Sequence, residues 1–361
     1  MGRSLIFAVT NDIRPDRRMI RHCTTLQRSG YDVTLVGRIL PTSATLPSFS
    51  FRTHRIKCIF QKGPFFYAEF NWRLRKYLKK QRPDIIGAVD YDTLKGAAGA
   101  AKALGCKLIF DAHEWYEEVP ELEGRKKIKK TWLKIASMNM PYTHLRYTVS
   151  KGLAKALTDN FKLDFKVIHN YPEEQVDEPS AVRDDILVYL GVLNRGRGLE
   201  EMIMAMNKIE AKLWIIGDGD IKDSLWQLAE KEGLLHKVIF KGFVPPEDLE
   251  PLLRQARIGI NLLDGKSNSY RHSLANKFFD YLHAGLPQLC MDFPEYKKYN
   301  KVHRVAALVG DLKETSIVYA INHLLNDRNY WFTFHTSCLE ARQEWNWQNE
   351  APRLLAYVDA V

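Results

Sequence analysis

The stretch Asn276–Pro287, NKFFDYLHAGLP, sets Lys277 and Asp280 three residues apart among Phe278, Phe279, Tyr281 and Leu282. That spacing predicts one helix carrying a cation and a carboxylate on a common face, with Gly285 and Pro287 ending the pattern. In isolation the pair is ordinary helix surface chemistry, so its meaning rests on what accompanies it. In LGVLNRGRGLEEMIMAM, Gly191, Gly196 and Gly198 let backbone approach a ligand, and Arg195 and Arg197 suit bidentate phosphate contacts just ahead of a helix start. LWIIGDGD brings Gly217, Asp218 and Gly219 to a second strand-to-helix corner, where plain turn chemistry is an equal reading. In FKGFVPPEDL, Gly242 closes a strand, and Phe243 and Val244 lead into a proline-initiated helix whose loop can offer backbone groups to a flat heterocycle.

Two further clusters lie in the first half. DAHEWYEEVPE places His113 at the end of an apolar run among five acids, a candidate catalytic group because imidazole titrates near neutral pH. TNDIRPDRRMIRH fills the first strand-to-helix corner with Asp12, Asp16 and Arg18, which either read an anionic or hydroxyl-rich ligand or cap the helix. That corner has no G-x-G-x-x-G pattern, so a dinucleotide fingerprint is not supported. No carboxylate pair suited to a metal is read at a donor strand end, and no metal is expected.

Elements to position these groups are visible as short β-branched runs alternating with helical stretches, the pattern of parallel sheets covered by helices. The first half has LIFAVT, DVTLVG, IIGAVD, KLIFDAHE, LRYTVS and FKVIHN; the second has ILVYLG, KLWIIGDG, KVIFKGF, IGINLL, LPQLCMD and VAALV. Between them Tyr171–Asp185, with two prolines and a run of acids, reads as a linker. The expected organisation is a Rossmann-like domain over 1–170, a linker over 171–185 and a second such domain over 186–342. Two doubly wound domains of this kind are expected to bring their carboxyl strand ends to a shared cleft.

A chain of 361 residues exceeds the size at which one core keeps growing, in keeping with two domains. It has no apolar run of membrane-spanning length and no signal-peptide pattern at its start, so a cytoplasmic protein is expected. Five dispersed cysteines read as reduced thiols. Residues 1–170 hold 31 Lys or Arg against 15 Asp or Glu, a net +16, and the remainder holds 22 against 28, a net −6. The basic half suggests an anionic partner. FFYAEFNWRLRKYLKK and GRKKIKKTWLKIASM mix Trp72 and Trp132 with Lys and Arg at near-helical spacing, the composition of a helix lying in a membrane interface.

Taken together, these motifs resemble the family 4 glycosyltransferases of the GT-B fold. NKFFDYLHAGLP is similar to that family's Lys-x-x-Glu-Tyr-x-x-x-Gly-x-Pro helix, with Asp280 where Glu is usual. The resemblance implies an α/β chain of two Rossmann-like doubly wound parallel-sheet domains and a C-terminal helix, here 343–361, returning to the first. It implies that Asp280 bonds the ribose of a nucleotide-sugar, that Lys277, Arg195 and Arg197 face the diphosphate, that Phe243 and Val244 lie on the base side, and that His113 is the active-site histidine. His272 stands where the family carries a sugar-contacting Glu, Val192 where it carries an Arg after the first glycine, and NDIRPDRR in place of its glycine-rich first loop. The implied function is metal-independent, retaining transfer of a sugar from a nucleoside diphosphate donor to a glycan or lipid-linked acceptor, with peripheral contact to anionic membrane. A nucleotide-sugar epimerase of the same fold, and a nucleic-acid-binding protein using the basic half, are the competing readings; no nucleic-acid motif supports the latter.

Overall fold

The apolar runs of the first half fold as strands of one parallel sheet because each is flanked by turn-formers and buried on both faces. The computed structural model describes residues 2–119, 122, 124–174, 179–266, 270–271 and 274–361. Its first sheet comprises β1 (Ser4–Ala8), β2 (Asp32–Ile39), β3 (Arg52–Lys57), β4 (Ile85–Val89), β5 (Lys107–Ala112), β6 (Leu145–Thr148) and β7 (Lys166–Val167). They lie in the order β3-β2-β1-β4-β5-β6-β7, all parallel. β3, RTHRIK, has no counterpart among the apolar runs: it is a mostly polar edge strand, partnered only by β2. Edge strands are solvated on their open side and need no apolar sequence, so hydropathy misses them.

Helices α1 (Arg17–Arg28), α2 (Gly63–Gln81), α3 (Asp90–Leu104), α4 (Lys126–Asn139) and α5 (Lys151–Phe161) accompany this sheet. The Ser150 hydroxyl caps α5 by accepting the Leu153 N–H at 3.2 Å. β1 is followed outward by β2 and β3 on one side and adjoins β4 on the other, so the winding reverses between β1 and β4. Ligands of such sheets bind beyond the strand ends at that reversal.

The second sheet comprises β8 (Ile186–Leu190), β9 (Lys212–Ile216), β10 (Val238–Gly242), β11 (Ile258–Asn261), β12 (Gln288–Met291) and β13 (Ala306–Val309), ordered β10-β9-β8-β11-β12-β13 and parallel throughout. Its reversal falls between β8 and β11. The helices are α6 (Leu199–Ala205), α7 (Lys222–Lys231), α8 (Leu249–Gln255), α9 (Asn276–His283), α10 (Pro294–Val302), α11 (Glu314–Asn326), α12 (Arg328–Glu344) and α13 (Trp347–Asp359). α9 ends as its sequence predicts. Gly285 takes φ +61° and the Leu286 N–H reaches back to the Tyr281 carbonyl at 2.9 Å, closing the helix before Pro287.

The chain divides into two units, Met1–Asn170 with Glu350–Val361, and Tyr171–Asn349. The end of α13 belongs to the first unit: the Glu350 carboxylate accepts the His169 backbone N–H at 2.9 Å, and the Tyr31 hydroxyl donates to Asp359. Arg183, at the end of the acid-rich segment, donates to the carbonyls of Leu253 and Ala284 within the second unit.

Candidate functional site

In the second unit the groups around Lys277 converge beyond the ends of β8 and β11. Gly191 follows β8 at φ +138° and Gly217 follows β9 at φ +143°. A Cβ on Gly217 would lie 1.9 Å from the Gly191 carbonyl oxygen, and one on Gly219 would lie 2.5 Å from the Leu193 carbonyl oxygen. These two glycines therefore let the corner after β9 nest against the loop after β8. Asp218 is exposed; its carboxylate accepts the Gly219 N–H at 2.9 Å and lies 3.5 Å from Lys222. Asp218 and Asp220 have Asp-x-Asp spacing, yet among the described residues no group of three His, Cys, Asp or Glu is placed to hold a metal ion.

Tyr281 wedges the strand ends apart. Its hydroxyl accepts the Leu190 N–H at 2.9 Å and donates to the Val188 carbonyl at 3.0 Å, so the last amide of β8 is satisfied without β11. One helical turn away Lys277 enters the same space. It is only 6% exposed, its ammonium stands 3.5 Å from the Tyr189 ring centroid, and a Cβ on Gly191 would lie 3.5 Å from it. The Lys277 ammonium is buried without a hydrogen-bond partner among the described residues. Burial, then the nearby Arg197 cation, push its pKa well below the ordinary lysine value. A buried cation facing another cation is a costly arrangement that an anion would relieve.

Arg197 is partly buried over the Tyr270 ring, 4.8 Å from its centroid, whereas Arg195 is exposed. The helix after Gly198 is shorter than the motif suggested, and Glu200 and Glu201 occupy its first turn. Those acids already answer its dipole, so the positive charge here comes from side chains more than from the helix end. Asp280 lies on α9 one turn from Lys277 and is partly exposed. Phe243 is exposed and Val244 is partly buried beyond β10. His272 lies outside the described residues.

The first unit holds a second cluster beyond β4 and β5. The His113 backbone N–H donates to Asp90 at 2.9 Å, and its ring Nε2 lies 3.2 Å from Asp111. Asp90 begins α3 at φ +56°, a strained conformation for a residue with a Cβ. Asp111 is fully buried and receives both Nε and Nη2 of Arg18 at 3.0 Å. Burial works against the Asp111 carboxylate, but Arg18 and His113 outweigh it and hold it far below the usual range. Burial likewise opposes charge on His113, but Asp111 and Asp90 outweigh it and raise its pKa to about 9. Its side chain is 24% exposed, so the imidazolium is presented to a ligand as a donor at neutral pH, not as a base. Burial pushes Asp92 up to about 6 despite the Thr10 hydroxyl bonded to it at 2.5 Å. That bond joins the ends of β1 and β4.

Asp12, Asp16 and Arg18, expected on the acceptor side, make contacts within the fold itself. Asp16 caps α1 by accepting the Met19 N–H at 3.0 Å, the capping alternative of its motif. Arg18 spends its remaining Nη1 on the Ile168 carbonyl and is buried, so it presents no charge to an acceptor. Asp12 is buried, accepting the Ser43 hydroxyl at 2.5 Å with Arg55 at 3.5 Å. The sequence reading missed Asp90, Asp92 and Asp111 as partners of His113; they close each strand-helix corner, and only the sheet order brings them together. The two tryptophans also part company. Trp72 is 62% exposed, but Trp132 is 9% exposed, packed edge-on against Tyr67 at 4.9 Å, so it is a core anchor and not an interface residue.

Two doubly wound parallel-sheet units, one with a buried cation at its winding reversal and the other with a charged histidine at a strand end, are the architecture of the GT-B fold. Residues 170–345 match the family model described as Glycosyl transferases group 1, and residues 16–171 match Glycosyltransferase Family 4. The chain belongs to the family 4-like GT-B glycosyltransferases and is an enzyme of that class. It is 40% identical over 84 residues to an uncharacterized glycosyltransferase, MJ1607, of Methanocaldococcus jannaschii, a match spanning 22% of each chain. It is 25% identical over 183 residues to the lipopolysaccharide core biosynthesis glycosyltransferase LpsD of Rhizobium meliloti, spanning 48% of this chain and 47% of LpsD. The chain thus matches less than half the length of either curated relative. Its fold is similar to Anabaena Alr3699/HepE in complex with UDP-glucose, at TM-score 0.78, 13% identity, and coverage of 99% of this chain and 100% of that one.

Proposed function

We propose that the protein transfers a sugar, with retention, from a nucleoside diphosphate sugar bound by the second unit to a glycan or lipid-linked acceptor bound by the first. The observation that carries the reading is Lys277: a buried ammonium over the Tyr189 ring with no hydrogen-bond partner among the described residues, beside a glycine loop, is a site prepared for an anion. The UDP-glucose complex of HepE and the biosynthetic role named for LpsD support a nucleotide-sugar donor and a glycan-precursor acceptor. In the step itself the bond between the anomeric carbon and the diphosphate oxygen breaks, its electron pair leaving with the diphosphate, and the acceptor oxygen bonds to that carbon. The acceptor's proton leaves with the diphosphate, because protonated His113 cannot take it. Lys277, with Arg197 and Arg195 behind it, stabilises the negative charge that grows on the departing diphosphate, and no metal is required for that charge. His113 donates a hydrogen bond to a sugar oxygen, and Asp280 accepts from the ribose hydroxyls.

No described helix is long and apolar enough to cross a membrane. The +16 half and the exposed Trp72 support peripheral contact with an anionic, cytoplasmic membrane face. The epimerase reading is weaker, since the matching family models are those of glycosyl transferases.

The test is thermal stabilisation by nucleoside diphosphates, which raise the melting temperature if they bind the native state alone. Asp280→Ala is expected to weaken that binding roughly tenfold to a hundredfold through loss of one charge-assisted hydrogen bond, without unfolding the protein. Unchanged affinity in the variant would remove Asp280 from the donor site.

A further inference from the structure

The first unit contains a cavity of about 880 Å³ bounded by α2, α3, α4 and the segment after β5. That volume lies in the range of small-molecule sites. We propose that it is the acceptor pocket and that its occupant is a phosphate-bearing lipid: an alkyl chain along the aromatic wall, with the phosphate at a cationic rim. The proposal rests on the transferase reading and names the acceptor class for it.

Four rings build the wall. Tyr67 meets Trp132 at 4.9 Å, Trp132 meets Tyr116 at 5.2 Å, and Tyr116 meets Tyr91 at 5.3 Å. The Tyr67 and Tyr116 hydroxyls are hydrogen-bonded to each other, so the wall presents mainly ring carbon. Its one amide, Asn71, is consumed in joining α2 to α3: Nδ2 donates to the carbonyls of Tyr67 and Asp92, and Oδ1 accepts the Gly96 N–H at 2.7 Å. Gly96 permits that approach, since a Cβ there would lie 2.7 Å from the Asn71 carbonyl oxygen.

Charge is arranged differently at the edges. Arg75, Lys95 and Arg125 line the cavity, are exposed, and form no ion pair among the described residues. The lining also includes Asp92 and Glu114, which act electrostatically on Asp90 and thus adjoin the His113 cluster. The cavity therefore lies beside the His113 cluster and carries cations able to meet a phosphate. Trp72 lines the cavity and is exposed, and Phe65, seven residues earlier on α2, is also exposed, with Phe60 packed on it at 5.4 Å. Such an apolar edge in a basic surround suits a ligand that is delivered from an anionic membrane.

Dodecyl phosphate titrated calorimetrically into the intact protein, below its micelle concentration, tests this. Saturable one-to-one binding is expected, at least tenfold tighter than dodecyl maltoside, with inorganic phosphate alone not binding. Shortening the chain by two methylenes should weaken binding about tenfold. Ala68→Trp, at an exposed α2 position lining the cavity, should abolish it, and Thr131→Trp on α4 serves as a second blocking variant, with thermal melting as the control for folding. Full dodecyl phosphate binding in both folded variants, or equal binding of the neutral detergent, would overturn the proposal. Nucleoside diphosphate binding is measured on the same samples. Its absence alone would sink the donor reading and leave the pocket standing, and its presence without dodecyl phosphate binding would sink only the pocket.

Discussion

Replacing Lys277 by Met keeps the length of the side chain and removes the charge, and it should move stability and binding in opposite directions. A buried polar group without a partner costs about 1–3 kcal/mol, and more when charged. Contact with the Tyr189 ring returns about 1–2 kcal/mol of that, while the Arg197 cation subtracts from it. Lys277→Met should therefore stabilise the ligand-free protein by about 1 kcal/mol. For a unit of roughly 180 residues that raises its melting temperature by about 2–4 °C. The same substitution removes a charge-assisted contact to the diphosphate, about 1.5–3 kcal/mol, so affinity should fall tenfold to about a hundredfold. Nucleoside diphosphate at a hundred times its wild-type dissociation constant stabilises the wild type by about 2.7 kcal/mol, and in the variant that gain should fall to about 0.4–1.4 kcal/mol. Differential scanning fluorimetry with and without nucleotide reads both effects, and the two melting series should cross. A variant that melts lower than wild type without ligand and keeps the full nucleotide shift would show that Lys277 is a structural lysine and that its burial says nothing of a donor.

Two other outcomes follow from the geometry. Because the folded pKa of His113, about 9, lies above that of an unfolded imidazole, its contribution to stability is complete below about pH 6.5 and is lost as pH rises through 9. The melting difference between wild type and His113→Asn should thus be largest in acid and shrink by pH 9.5, and turnover should fall through pH 9 with no rising limb near 6.5; a pH-independent difference would refute the charged state. Gly217→Ala forces a Cβ to within 1.9 Å of the Gly191 carbonyl oxygen at φ +143°, and it should destabilise the second unit by roughly 3 kcal/mol or more, read as a lower melting temperature.

The second sheet was legible in the sequence, since five of its six strands are buried, mostly apolar runs covered on both faces and the edge strand β10 still carries Val238, Ile239 and Phe240. The C-terminal end of α9 was legible for a local reason, a glycine able to take positive φ with a proline two residues on. β3 was not, because a polar edge strand leaves no hydropathy signal. Residue type marked Lys277, Asp280, Arg197 and His113 as chemistry, but type alone could not say that the Lys277 ammonium would be buried beside another cation or that His113 would be held protonated. The first state depends on neighbours 80 or more positions away, as with Lys277 over Tyr189, and the second on Asp111 and Asp90 facing His113 from two separate strand-helix corners. The two tryptophans show the same division. Trp72 and Trp132 both sit among Lys and Arg at near-helical spacing, and only the packing of α4 onto Tyr67 and Tyr116 buries one and leaves the other to solvent. Periodicity and turn chemistry are local properties that a chain carries in its own order, whereas desolvation and the pairing of charges come into being only when distant segments exclude water together.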